Sequence, residues 1–234
     1  MDKLSEALVT MPILMWFLRL LLSWQTRRIM KALAILLAFS VVTPAFAGAS
    51  AGDTVRRLQA ALLQSMREAN TYPQRVAKLA PLIRQTHDMP RIARITLGRH
   101  WRSLNATQRK RFDEVFFRLS VSVYASRFKS WDGERFVVDA EKPSRHGRML
   151  VKTRLLRRNG KPVHLDYLLR KKNGRWRIIN VIANGVSDLA LKRADYSYEI
   201  RQHGFEALIS RLKSKIALRR NPHSDSFVSD HNHA

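Results

Sequence analysis

Eight histidines give this chain its most obvious capacity for chemistry. His87 and Asp88 are immediate neighbours, and consecutive side chains point in different directions in most backbone geometries. His164 and Asp166 stand two apart in an alternating run, so they share a face. That face opposes Val163, Leu165 and Tyr167, which places the pair toward solvent. His223, His231 and His233 fall in a stretch with no periodicity, too loose to close a metal site. No glycine-rich loop could cradle a phosphate, and there is no His-Glu-x-x-His. Cysteine is absent, which removes thiol nucleophiles, thiolate metal sites and disulfides. The residues therefore nominate no catalytic group, no metal site and no cofactor. What they do supply is aromatic area from separate elements that should meet: Trp101, Phe112, Phe116, Tyr124, Tyr167 and Trp176. Such a set fills a core or lines a partly open one, and periodicity does not distinguish the two.

The elements that carry these side chains change character midway. Asp53 can cap a helix running to about Ala69, with Val55, Leu58, Leu62 and Met66 on one stripe. Pro73 suits a first helical position, and Val76, Leu79 and Ile83 follow, with Pro81 bending or splitting that element. Pro90 starts a short helix with Ile92, Ile95 and Leu97, ended by Gly98. Asn105 and Gln108 form a capping-box pattern ahead of the strongest stripe: Phe112, Val115, Phe116, Leu119 and Val123. From Glu134 the period becomes two. Strands are expected over 134–140, 148–157, 161–170 and 175–183, with Asn159-Gly160 and Asn173-Gly174 as two-residue hairpin turns. In the last strand Trp176, Ile178 and Ile182 fall on one side, with Ile179 and Val181 on the other. Ser187 or Asp188 caps a further helix to about Gln202, and Gly204 separates it from Phe205–Ile216. The reading is an α+β fold: N-terminal helices, a curved antiparallel meander of about four strands, and C-terminal helices packed on one face of the sheet.

The ends of the chain bear on its address. Met30–Ala47 has the three parts of a secretory signal peptide: basic residues at Arg27, Arg28 and Lys31, the apolar run Ala32–Val42, and Ala45-Phe46-Ala47 before Gly48. Residues 1–29 carry a shorter apolar run interrupted by Arg19; they read as a start called too early or as an N-terminal membrane anchor. Residues 217–234 read as a disordered tail. Beyond residue 47 the chain still carries 38 Lys and Arg against 16 Asp and Glu, a net +22. Such charge implies an anionic partner or a highly solvated surface, and export points to an anionic membrane surface rather than nucleic acid.

The order of several short motifs resembles a known family. Leu97-Gly98-x-x-Trp101 is followed by Gln108 and Phe112 opening a long helix, then Val163-x-Leu165-Asp166-Tyr167, Gly174-x-Trp176-x-Ile178 and Gly185-Val186-Ser187. This is similar to the MlaC family, also called the toluene-tolerance family, over about residues 53–216. Asp88-Met89-Pro90 and the run 185–191 look closer to its hopanoid-associated HpnM branch. Asn180 departs from the pattern, since relatives commonly carry an acid there. The resemblance implies a periplasmic lipid carrier rather than an enzyme, sheltering a phospholipid or hopanoid and working with membrane-embedded transporter components. On that reading Leu97, Trp101, Phe112, Phe116, Leu119, Val163, Leu165, Tyr167, Trp176 and Ile178 would line its apolar cavity. The alternative is an exported assembly factor with the same fold and no cavity.

Overall fold

Ser50 opens the first helix of the computed structural model, which describes residues 49–221. Its hydroxyl accepts from the Asp53 amide at 3.0 Å, and the Asp53 carboxylate accepts from the Ser50 amide at 2.7 Å. This reciprocal pair starts α1 (Ala51–Glu68), so Asp53 lies in the first turn and Ser50 takes the capping place expected of it. Thr71 and Gln74 use the same device at α2 (Tyr72–Thr86), which runs through Pro81 without dividing. α3 (Met89–Leu97) stops at Gly98, where φ is +55°. A short α4 (His100–Ser103) leads to α5 (Ala106–Arg127), opened by the Asn105–Gln108 capping box.

Five strands follow: β1 (Arg135–Ser144), β2 (Arg148–Leu156), β3 (Val163–Lys172), β4 (Arg175–Ala183) and β5 (Val186–Ser187). They form one antiparallel sheet in sequence order. Asn173 and Gly174, with φ of 49° and 73°, make the expected tight turn. Asn184 and Gly185 repeat it and add the short fifth strand, which the sequence reading did not anticipate. Asn159-Gly160 is not a two-residue turn. Residues 157–162 form a wider arch, in which the Arg157 guanidinium donates to Lys161 O at 3.0 Å. Pro162 has no amide to offer a ladder, so pairing resumes only at Val163.

The pairing of β3 with β4 slips by one residue, Leu168 opposite Asn180 and Leu169 opposite Ile178, leaving Ile179 as an extra residue in β4. A bulge of this kind reverses which side of the sheet the following residues face. The strict alternation expected for β4 therefore fails beyond Ile178.

Ser187 caps α6 (Asp188–Arg220), accepting from the Ala190 amide at 3.1 Å; at Gly204 the backbone leaves the helical region (φ 84°, ψ 176°), so the expected division is present as a kink between two helical halves. The helix continues past Ile216, so 217–220 are helical rather than part of a tail. Arg219 and Arg220 suit the negative end of the helix dipole, and Arg219 donates to Lys215 O at 2.7 Å. The expected signal peptide at 30–47, the expected extension at 1–29 and residues 222–234 of the expected tail lie outside the described residues.

Two apolar cores result. The first joins α1 and α2 to the sheet through Leu58, Leu62, Leu79, Ile83, Tyr167, Leu169 and Ile178. The second joins α3, α5 and α6 through Leu97, Phe112, Phe116, Leu119, Tyr196, Leu208 and Leu212. α5 serves both: Val121 and Ala125 face the first, and its N-terminal stripe faces the second.

Candidate lipid-binding cavity

A cavity of about 510 Å³ lies at the junction of the two cores. Ile83, Tyr167 and Ile178 approach it from the first, Ile92 and Phe116 from the second, Met89 packs against both, and Met66 of α1 also lines it. Val163, Leu165, Val181 and Ala183 form its sheet wall. Val181 and Ala183 share that wall with Ile178 only because the bulge at Ile179 has shifted the alternation; Ile182 is turned away.

The corner between α2 and α3 is fixed against this wall. His87 makes a parallel bridge with Ile178, and the Asp88 amide donates to Ile178 O at 2.9 Å. The Asp88 side chain is only 1% exposed and meets the Arg170 guanidinium at 2.6 Å and Lys172 Nζ at 3.2 Å. Burial opposes its charge, but hydrogen bonds from Arg170 and Lys172 prevail and hold its pKa below the ordinary aspartate value. His87 points the other way, into the cavity wall. Its Nδ1 is 2.9 Å from Thr86 Oγ1 and its Nε2 is 3.1 Å from the Tyr124 hydroxyl. Burial lowers its pKa to about 4, so the ring is neutral at neutral pH. Burial likewise pushes the Tyr124 phenol up.

These polar groups are occupied with one another, as is Ser120, whose hydroxyl donates to Phe116 O at 2.9 Å. No activated nucleophile or paired acid and base faces the space. Among the described residues no cluster of three or more His, Asp or Glu could hold a metal ion. Nor is any described helix long and apolar enough to cross a membrane. An apolar interior of this kind takes hydrocarbon out of water at ~0.8 kcal/mol per methylene. Its volume lies within the ~300–1,000 Å³ usual for small-molecule sites. At the rim the exposed residues are mostly basic: Arg127, Lys129 and Arg157 stand there with Ser130 and Asp188. Asp188 pairs with Lys192, which also borders the space.

Of the ten residues proposed from sequence to line a cavity, Phe116, Val163, Leu165, Tyr167 and Ile178 surround this one. Leu97, Phe112 and Leu119 do not. The bent α6 returns Tyr196, Leu208, Ile209 and Leu212 onto their stripe and fills that space. Trp101 packs at the edge of the second core, with Arg109 5.7 Å from its ring. Trp176 lies under α1 at the far end of β4, where its carbonyl accepts from Thr54, and Lys171 approaches its ring at 5.3 Å. Met66, Met89, Ile92, Tyr124, Phe128, Leu155 and Val181 were missed. Tyr124 and Phe128 were visible as an extension of the α5 stripe, whereas nothing in the sequence marks the bulge that brings Val181 inward. Asn180 is accounted for locally: its Oδ1 accepts from Leu189 N and Ser187 Oγ, both at 3.2 Å, securing the start of α6.

Comparison with known proteins gives a consistent picture. The family model described as MlaC protein matches residues 53–214. The intermembrane phospholipid transport system binding protein MlaC of Haemophilus influenzae is 24% identical over 125 residues, 52% of this chain and 58% of that protein. The toluene tolerance protein ttg2D of Pseudomonas putida is 26% identical over 103 residues, 44% of this chain and 48% of that one. The match thus spans about half the length of these curated relatives. A solved phospholipid-binding protein from Ralstonia solanacearum, in complex with a phospholipid, shares the fold. Its TM-score is 0.66 at 18% identity, covering 73% of this chain and 99% of that one.

Proposed function

Because this chain belongs to the MlaC family, we propose that it is a periplasmic lipid carrier that shelters the hydrocarbon of one membrane lipid in the cavity between its two cores. The observation that carries this reading is the largely apolar space of about 510 Å³ whose inner polar side chains, His87, Tyr124 and Ser120, are each hydrogen-bonded. A sixteen-carbon chain exposed to water costs on the order of 12 kcal/mol relative to burial. A lipid crosses an aqueous gap only when that exposure is avoided. The carrier needs no catalytic residue; it needs an open apolar site and a surface that meets its partners, which we take to be membrane-embedded transporter components.

Phospholipid and hopanoid both offer hydrocarbon, but they differ at the polar end. Arg127, Lys129 and Arg157 at the rim favour an anionic head group, and so favour phospholipid. The relatives named for phospholipid transport or binding agree with that preference. Mass spectrometry of lipid extracted from the purified protein tests the reading. Recovery of phospholipid near one molecule per chain is the expected result. A protein that carries no lipid, and takes none up from detergent-dispersed phospholipid, is not a carrier. Recovery of hopanoid alone would keep the carrier and reassign the ligand.

A further inference from the structure

We infer that the mouth of the cavity is a docking face for an anionic lipid bilayer, centred on Trp131. This extends the carrier reading, since it gives that activity a place of exchange, but its physical grounds are separate. Trp131 is 44% exposed, a large apolar side chain left at the surface beside the cavity rim. Its ring is fixed. The indole nitrogen donates to Glu134 O at 3.0 Å, and the Arg67 guanidinium lies 4.6 Å from the ring. With that nitrogen occupied inward, the part of the indole left to solvent is hydrocarbon.

The charge around it is mostly positive. Arg135, Arg157 and Arg158 line the hollow beside the ring, and Arg157 also borders the cavity. Lys129 and Arg127 are exposed on the same rim. The nearby acids are engaged: Asp132 faces Arg158 at 3.4 Å, and Glu134 accepts from the Asp132 amide. An aromatic ring set among cations is the arrangement that sits at the boundary of a bilayer, with the ring at head-group level and the cations on lipid phosphates. The other basic hollows lack this pairing. Around Arg84, Arg175 and Arg177 no aromatic side chain is exposed, and at Arg94 and Arg102 the nearby Trp101 is half-buried. Docking by the Trp131 face would bring the cavity mouth to the membrane, so that a lipid chain need not cross bulk water.

Co-sedimentation with vesicles of phosphatidylethanolamine, with and without phosphatidylglycerol, tests this on the purified protein. Binding is expected only with phosphatidylglycerol, and it should fall steeply with salt. Removing one cation of the face weakens binding about fivefold, and Arg158→Glu, which reverses one, should weaken it by more than about tenfold. Trp131→Ala should weaken it about tenfold through lost apolar burial. Arg102→Glu, on a different surface, should change it by less than about twofold. Equal loss from Arg102→Glu and Arg158→Glu would reduce the effect to net charge and overturn the docking face. So would equal binding to both vesicle types, or binding that requires an acidic membrane protein in the vesicles. Lipid extracted from the same samples separates the two ideas. A protein with no bound lipid that still docks through Trp131 keeps this inference and loses the carrier. A lipid-loaded protein indifferent to Trp131 and Arg158 does the reverse.

Discussion

Val181→Trp should empty the cavity of ligand while leaving the fold in place. Val181 is half-buried on β4 and faces the cavity beside Ile178, so a larger side chain there enters open space rather than a filled core. The usual 1–3 kcal/mol cost of overpacking should therefore be largely absent. Tryptophan adds about seven heavy atoms over valine, room otherwise available to about as many methylenes of a bound chain. At ~0.8 kcal/mol each, full displacement is worth about 5.6 kcal/mol. A chain can slide toward the mouth instead of losing every contact, so about half of that is the better expectation, close to a hundredfold in affinity. The assay is lipid recovered per chain by mass spectrometry, with thermal unfolding measured on the same sample. Lipid should fall to a small fraction of the wild-type amount, while the midpoint moves by only a few degrees. A Val181→Trp protein that is folded and fully loaded would show that the ligand does not occupy this cavity.

Other substitutions separate the cavity from the frame around it. Phe112→Leu, in the filled second core, should cost about 1–3 kcal/mol by denaturant unfolding yet retain lipid, because Phe112 does not border the cavity. Asp88→Ala removes the carboxylate that anchors the α2–α3 corner. Arg170 and Lys172 are 33% and 42% exposed and can rehydrate, so about 1–3 kcal/mol is expected rather than the ~3–5 of a fully buried pair. Since the folded-state pKa of Asp88 is depressed, this stabilisation is present above its unfolded value near 3.8 and is lost as pH falls through the folded one. An acid titration of unfolding should therefore show a wild-type loss that Asp88→Ala lacks. Asp113 has the opposite sign: burial raises it to about 6, and its Oδ1 has no hydrogen-bond partner. Its penalty grows as pH rises from about 4 to about 6 and is complete above that. Asp113→Asn should then stabilise the protein at neutral pH by about 1–2 kcal/mol, discounted for partial solvent access, and by little at pH 4. Unfolding midpoints at the two pH values check it.

The fold was readable where local chemistry decides it. The capping box formed by Asn105 and Gln108, the Gly98 stop and the Asn173-Gly174 turn depend on residues close together in the chain, and each occurs where its residues stand. The cavity was readable only in part, because its shape depends on distant partners. The α5 stripe was rightly identified as apolar, but its partner was not. The two halves of α6, joined at the Gly204 kink, cover Leu97, Phe112 and Leu119, while Phe116 reaches past that packing to the cavity. Periodicity says that a face is buried, not against what.

The bulge at Ile179 is the clearest instance of the same limit. Without it, β4 would send Ile182 inward with Ile178 and turn Val181 outward. With it, Val181 and the short Ala183 reach the cavity. Such an irregularity costs a ladder hydrogen bond and leaves no compositional mark. Here it lies directly opposite the place where the α2–α3 corner is tied to Ile178 O by the Asp88 amide. The two features act on one strand position: the corner fixes where the sheet meets the helices, and the bulge redirects the strand immediately beyond. A wall that is anchored at Ile178 and re-aimed at Val181 can stand away from α5 without collapsing onto it. That separation, rather than any single lining residue, is what leaves room for a chain between two otherwise filled cores.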